Sequence, residues 1–388
     1  MGSEVFDVIV IGAGIEGSSS AYHLAKSGQK TLLLEQFPLP HSRGSSHGQS
    51  RITRYAYTQD YYTHMMLDSY PLWDTLEKEA GVNIYKKCGL LNIGLENGNF
   101  LGSVAGSMSR HGMDFQSFQS SEFQRRYPML RYPPRSGAIL DPMGGILRAD
   151  KALAAFQTMF KQLGGVLREG ETVKVIRPGQ PLVTVTTTKG EYRAKKVVMA
   201  TGPWTSKLLE PLGLRLPLKP IRITVCYWRE NRETTPHSSD RFPCIIDGGQ
   251  DDGEEFHVYG LPSEEYPGYV KVCLHDGPDI DPDARDEADD TWVREKVTDY
   301  VRQHFPWLQG SPGIVEACIY TNTPDNDPVI DYHPQHSNII IAAGFSGHGF
   351  KLAPAVGKAV TELALNKPLS YNMAPFAVSR FNAASSKL

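Results

Sequence analysis

The sequence predicts an α/β (α+β) fold of two domains, one built on a parallel sheet covered on both faces and the other on a mixed sheet. Three observations predict it. The chain has 388 residues, which at about 150 per domain makes two domains or three. The first 36 residues read as one strand–helix–strand unit around a glycine-rich turn. Two further all-apolar strands, far along the chain, each run into another glycine turn. Strands apolar at every position belong to parallel sheets packed on both sides. These pieces therefore share one sheet, and the first domain is discontinuous and Rossmann-like.

The elements follow in order. Residues 7–11 (Asp-Val-Ile-Val-Ile) form the first strand, and Gly12-Ala13-Gly14-Ile15-Glu16-Gly17 the turn. Residues 18–27 form a helix with Ala21, Leu24 and Ala25 at helical spacing. Residues 31–34 are a second buried strand, closed by Glu35. Residues 183–186 (Val-Thr-Val-Thr) alternate as a half-buried antiparallel strand does. Residues 196–200 and 338–343 are all-buried strands, the second leading through Gly344-Phe345-Ser346-Gly347-His348-Gly349 into a helix over 351–365. The stretches 61–149 and 216–310 are rich in aromatics, Met and Pro, as a substrate domain inserted twice would be. The first domain is then 1–60, 150–215 and 311–388. The acidic run 276–290 reads as a solvated loop whose Asp289 and Asp290 cap a helix carrying Trp292, Val293, Val297, Tyr300 and Val301.

Composition narrows the class. Hydrophobic residues at 40% and charged residues at 21% describe a soluble globular protein whose size buries about three quarters of its unfolded surface. Forty basic against 43 acidic side chains give a net charge of −3, which argues against a nucleic-acid surface or a polybasic membrane patch. No apolar run approaches the roughly 20 residues of a membrane span, and Met1 leads straight into a strand with no secretory leader pattern. Five cysteines (Cys88, Cys226, Cys244, Cys273 and Cys318) form an odd set without a C-x-x-C pair, so free thiols are expected and zinc is not. Thirty-six glycines and 27 prolines are too many for a helical bundle.

The glycine turn carries the first chemistry. Gly12 permits the tight turn, Gly14 lets backbone approach a pyrophosphate, and Gly17 lets helix and strand pack closely. The helix that follows offers free N–H groups and a positive dipole end. Glu35, 23 residues after Gly12, is placed to bind ribose hydroxyls and disfavours a 2′-phosphate. The turn alone does not separate FAD from NAD. Next, residues 44–54 hold His47, Arg51 and Arg54; on an extended segment the two arginines face opposite sides and need not share a role. The cluster reads equally as a cationic pocket, one arginine against a cofactor and one clamping a carboxylate, or as a polar loop with solvated arginines. Gly344, Gly347 and Gly349 leave the last helix with a bare N-terminus suited to an anion, and Lys351 sits in its first turn, where the dipole disfavours a cation. Cys318 by itself reads as a small buried hydrophobe. Ser386-Lys387-Leu388 is the peroxisomal address, which an import receptor reads at an exposed C-terminus.

These stretches, together with His41-Ser42-Arg43-Gly44-Ser45-Ser46-His47-Gly48-Gln49-Ser50-Arg51 and Cys318-Ile319-Tyr320-Thr321-Asn322-Thr323-Pro324-Asp325, resemble the sarcosine oxidase family of FAD-dependent amine oxidases over nearly the full length. The resemblance implies a D-amino-acid-oxidase-like flavoprotein that oxidises secondary amino acids (sarcosine, L-pipecolate, L-proline) to imines, with dioxygen as acceptor and hydrogen peroxide as product. It implies FAD joined covalently to Cys318 by a thioether to the 8α-carbon. It implies that Gly12, Gly14, Gly17, Glu35, Arg43, Ser46, Gly202, Gly344, His348 and Gly349 hold the cofactor. Arg54 and Lys351 would bind the substrate carboxylate, with Tyr259, Tyr320 and Gly347 lining the pocket. His47 and Arg51 would flank the flavin, His275 would face the amine, and Lys271 would stand near N5 to stabilise superoxide. The family also implies a monomer. Residues 229–256 match it least, so substrate preference stays open. The alternative reading is an NAD-dependent or electron-transfer-coupled amino acid dehydrogenase.

Overall fold

The computed structural model describes residues 4–231, 242–249 and 257–381. Its first sheet unites the strands that the sequence scatters. Val5–Ile11 lies between Thr31–Leu34 and Glu191–Met199, parallel to both, and Glu191–Met199 also pairs in parallel with His336–Ala343. Burial explains why the inner segments of these strands are apolar, while the ends of Glu191–Met199 and His336–Ala343 carry exposed and half-buried polar residues. Val8 and Val10 join the core beneath the helices, whereas Ile9 and Ile11 join the core on the opposite face. Val183–Thr187 is antiparallel to both its neighbours and alternates buried and half-buried residues, as its sequence pattern predicts.

Four helices cover one face: Ile15–Lys26, Asp60–Ala80, Ala149–Gln162 and Gly349–Ala364. The glycine-turn helix starts three residues before the predicted position, because Gly14 already serves as its N-cap. Helices Ile15–Lys26 and Gly349–Ala364 meet closely. A Cβ at Gly357 would stand 2.4 Å from Ser19 Oγ, and that hydroxyl donates to the Ala353 carbonyl at 2.7 Å.

The second sheet has eight strands in the order Ile314–Asn322, Lys219–Arg229, Tyr269–Leu274, Val258–Leu261, Cys244–Asp247, Leu90–Leu95, Ser136–Asp141 and Gln116–Phe118. All its neighbours are antiparallel except Cys244–Asp247 with Leu90–Leu95, so it is the predicted mixed sheet. Helix Thr291–His304 packs on one face through Val293, Val297, Tyr300 and Val301. The other face turns towards the first sheet and bears Ile223, Tyr227 and Cys318. A small three-stranded sheet containing Ser50–Thr53 bridges the two.

The boundaries expected at 60/61 and 310/311 do not follow the sheets. Helix Asp60–Ala80 shares the core of the first sheet's helices, and Ile314–Asn322 pairs along Lys219–Arg229 in the second. Composition did not reveal this, because Tyr62, Met65, Met66 and Trp73 serve a helix–helix core as readily as a substrate domain. The capping expectation is half met. Asp289 accepts from the Thr291 N–H at 3.0 Å, but the Asp290 carboxylate turns inward to Thr224, Arg222 and Arg294. Most of 229–256 and the terminal Ser386-Lys387-Leu388 lie outside the described residues. Among the described residues no helix is long and apolar enough to cross a membrane.

Candidate active site

Between the sheets lies a cavity of about 1490 Å³. Ligand sites for drug-sized molecules run from roughly 300 to 1,000 Å³. A cavity of this size has room for a dinucleotide and a small substrate together.

One end is the glycine turn. Gly12 has φ +97°, and a Cβ there would lie 2.4 Å from the Ala200 carbonyl; a Cβ at Gly17 would lie 1.8 Å from the Gly12 carbonyl. Only glycine fits either place, and a Cβ at Gly14 would press to 3.0 Å from the Ser46 hydroxyl. The Ser46 hydroxyl accepts from the Ile15 N–H at 2.9 Å, so it occupies one donor of this helix N-terminus. Glu35 lies at the cavity wall at the end of Thr31–Leu34. It accepts from the Ala13 N–H at 2.9 Å and the Phe37 N–H at 3.0 Å, with His41 at 3.4 Å. Gly202 has φ +51°, nothing against its Cα, and lines the cavity. Arg43 does not line it. Its guanidinium pairs with Asp286 at 3.2 Å on the surface, while its chain neighbours Ser42 and Gly44 line the cavity.

The middle gathers cations. Arg51 donates to the carbonyls of Ser50 (2.8 Å), Ser45 (3.1 Å) and His47, and stands 4.0 Å from Cys318 Sγ. Arg54 lies over the Tyr57 ring at 4.3 Å, and its Nε has no hydrogen-bond partner. Lys351 is 8% exposed and, among the described residues, donates only to the Gly347 carbonyl, at 3.2 Å. Burial, then the charges of Arg54 and Arg51, hold its pKa well below the usual lysine value. None of the three cations forms an ion pair among the described residues. The two arginines were expected on opposite sides, yet both line this cavity. Strand alternation applies only within Ser50–Thr53, and Arg54 lies just past its end.

Aromatic groups close the far wall. The His275 ring packs 4.9 Å from Tyr320 and 6.4 Å from Tyr259. Burial, and then neighbouring cationic groups, push His275 down to about 3 and His47 to about 4, so both rings are neutral at physiological pH. Gly347 (φ +80°) is where the loop passes His275: a Cβ would fall 2.4 Å from its ring. Gly344 has φ +71°, and His348 stacks on Tyr62 at 5.1 Å as the N-cap of Gly349–Ala364.

Lys271 is buried and donates to Ser50 Oγ at 3.1 Å and Glu265 at 2.6 Å. Sequence reasoning missed Glu265, which also accepts from Ser50 and from Tyr227 at 2.9 Å. Burial raises the Glu265 pKa, but Lys271 and these donors outweigh it and hold it below the usual carboxylate value. Glu16 was likewise missed. It is buried at the start of the glycine-turn helix, both its oxygens lack partners among the described residues, and its Oε1 would lie 2.5 Å from a Cβ on Gly349. No three-residue group of metal-ligating side chains occurs among the described residues.

The donor set suits a flavin dinucleotide: a glycine turn whose tight backbone contacts leave no room for side chains, a carboxylate at the second strand's end, and, among the described residues, unbalanced positive charge beside a cysteine. A family profile described as FAD dependent oxidoreductase matches residues 7–363. The chain is 48% identical to a peroxisomal sarcosine oxidase of Mus musculus, covering 99% of this chain and 98% of that one. It is 33% identical to a monomeric sarcosine oxidase of a Bacillus species, with 97% of each covered. Among solved structures it is similar to NikD, an unusual amino acid oxidase essential for nikkomycin biosynthesis, at 26% identity and a TM-score of 0.82, covering 97% of this chain and 98% of the other.

Proposed function

The chain belongs to the family of FAD-dependent oxidoreductases and is a flavin-dependent amine oxidase, and from that premise we propose that it oxidises small secondary amino acids to imines, with dioxygen as acceptor and hydrogen peroxide as product. Sarcosine, L-pipecolate and L-proline are the candidate substrates. One observation carries the reading: half-buried Arg54, whose Nε is buried and unpartnered, and buried Lys351 face the same cavity with no carboxylate partner among the described residues. A buried charge without a counter-charge is costly. A substrate carboxylate supplies what is missing, and a guanidinium can grip it bidentately.

A bound flavin would supply the acceptor for a hydride equivalent from the substrate carbon next to nitrogen and the route of its electrons to dioxygen. The protein orients and tunes. Gly12, Gly14 and Gly17 would admit the pyrophosphate to the N-terminus of Ile15–Lys26, Glu35 would meet the ribose, and Gly202, Gly344 and Gly349 line the cavity where the rest of the cofactor would lie. Cys318 would hold the flavin through a thioether, with Arg51 and His47 beside it. Tyr259, Tyr320 and neutral His275 form a wall without positive charge, and desolvation there favours the deprotonated amine, whose lone pair the reaction needs. Lys271 offers a buried cation to dioxygen as it gains charge. The terminal Ser386-Lys387-Leu388 and the names of the mammalian relatives support a peroxisomal address. The bacterial relatives' names support a monomer.

The test is an absorbance spectrum before and after acid precipitation. Yellow colour that stays with the washed pellet, and leaves it in Cys318→Ser, is the expected result; colour released from the unaltered protein would remove the thioether. Oxygen uptake on each candidate then ranks the substrates. For Lys271→Met, stopped-flow traces should show reoxidation slowed by about a hundredfold, the scale of one removed electrostatic stabiliser, with reduction by substrate nearly unchanged. Equal slowing of both half-reactions would overturn its role.

A further inference from the structure

We propose that Cys88 and Cys244 form a peroxide-responsive dithiol in which Cys88 is oxidised first and Cys244 closes the disulfide. The two are 156 residues apart in sequence, yet their sulfurs lie 3.7 Å from each other, and both are free thiols. Strand pairing brings them together. Cys244 opens Cys244–Asp247 opposite Leu90, and its N–H donates to the Gly89 carbonyl at 2.9 Å. Gly89, at φ +80°, folds the preceding residue back so that Cys88 reaches over the strand end. The sulfurs need close only from 3.7 Å to the roughly 2.05 Å of a disulfide.

The surroundings divide the labour. Cys88 is half-buried, whereas Cys244 is fully buried. The hydrogen bond from Cys244 outweighs burial and, with the Lys86 charge, lowers the Cys88 pKa; burial raises that of Cys244. The partly exposed thiol is thus the more readily ionised, and the thiolate is the nucleophile. Cys226 and Cys273 provide an internal contrast. They also touch, through the Cys226 N–H at 3.3 Å from Cys273 Sγ, but both are fully buried and both are pushed up, Cys273 to about 11.

The chemistry balances. The Cys88 thiolate attacks one oxygen of hydrogen peroxide; an S–O bond forms, the O–O bond breaks, and hydroxide leaves to take up a proton as water. Cys244 then attacks the sulfenic sulfur; the S–S bond forms, the S–O bond breaks, and the second hydroxide leaves with the Cys244 proton. Two thiols are oxidised and one peroxide becomes two waters. Peroxide is the product under the reading above, but the modification does not depend on turnover, because added peroxide tests it.

Purified holoprotein would be titrated with hydrogen peroxide without substrate, quenched, and digested without reductant for peptide mass spectrometry. The expected product is one intramolecular 88–244 disulfide, reversible by dithiothreitol, with Cys226 and Cys273 still alkylatable. Cys244→Ser should accumulate a dimedone-reactive sulfenic acid at Cys88, and Cys88→Ser should leave Cys244 reduced. Oxidation of Cys88 to sulfinic acid with Cys244 still free would overturn the proposal, as would peroxide treatment that modifies other residues and spares both thiols. Because the titration contains no substrate, a chain that proves not to be an oxidase can still form this disulfide, and an active oxidase can fail to.

Discussion

Lys351 shows how a single residue's environment can set a pH profile. Its ammonium is buried beside two guanidinium groups, and it loses its proton well below the ordinary lysine range. A bound carboxylate favours the charged form, so binding and protonation are linked. KM for an amino acid substrate should therefore rise as pH climbs through the depressed Lys351 pKa. In Lys351→Met that part of the rise should vanish, and KM near neutrality should increase at least about 30-fold, the lower end of the 2–5 kcal/mol lost when one partner of a buried charge pair is removed. An unaltered KM profile in the variant would place the carboxylate elsewhere. That Lys351, Arg51 and Arg54 line one cavity was legible from their local strings, whereas Cys318 read as a buried hydrophobe and was singled out only by the family resemblance. Glu265 was not, because only folding over 215 residues brings it to Ser50. The Cys88–Cys244 contact was hidden for the same reason: sequence spacing registers C-x-x-C pairs and is blind to strand neighbours.

At the scale of elements, the cradle is two helix N-termini, those of Ile15–Lys26 and Gly349–Ala364, and Glu16 lies where they meet. Glycine patterning made both helix starts readable, since Gly12 and Gly347 adopt backbone angles other residues avoid. What patterning could not show is that Gly349 gives up its Cβ to a buried carboxyl from the other helix. With neither oxygen hydrogen-bonded, burial raises the Glu16 pKa well above its ordinary value near 4.5. A carboxyl that holds its proton more tightly when folded contributes stability that is complete below the unfolded pKa and is lost as pH rises through the folded one. Glu16→Gln keeps the shape and cannot ionise. Its melting temperature should match the parent at pH 4, below the unfolded pKa, and exceed it at pH 8 by about 2 °C or more, since a chain of this length gains a few degrees or less per kcal/mol. Equal melting temperatures at both pH values would mean that Glu16 finds a partner when ionised.

Over the whole molecule, the cofactor cavity belongs to no single stretch of chain. Its walls come from the glycine turn, from Ser50–Thr53, from Ile314–Asn322 and from the loop before Gly349–Ala364, so both large sheets contribute. The parallel sheet was legible from its apolar strands, but the partition of the chain was not. Helix Asp60–Ala80 and strand Ile314–Asn322 crossed the expected boundaries because composition records burial and not the neighbour that provides it. A ligand held by both sheets should stabilise them together. Cys318→Ser stripped of flavin should melt in one transition, and added FAD should raise that transition in proportion to RT ln(1 + [FAD]/Kd), about 2.7 kcal/mol at a hundred times Kd. Differential scanning calorimetry over a range of FAD concentrations measures this. If the sheets unfold separately, the stripped protein will show two transitions and FAD will move only one, and the cavity would then be a surface on one domain instead of the seam that joins two.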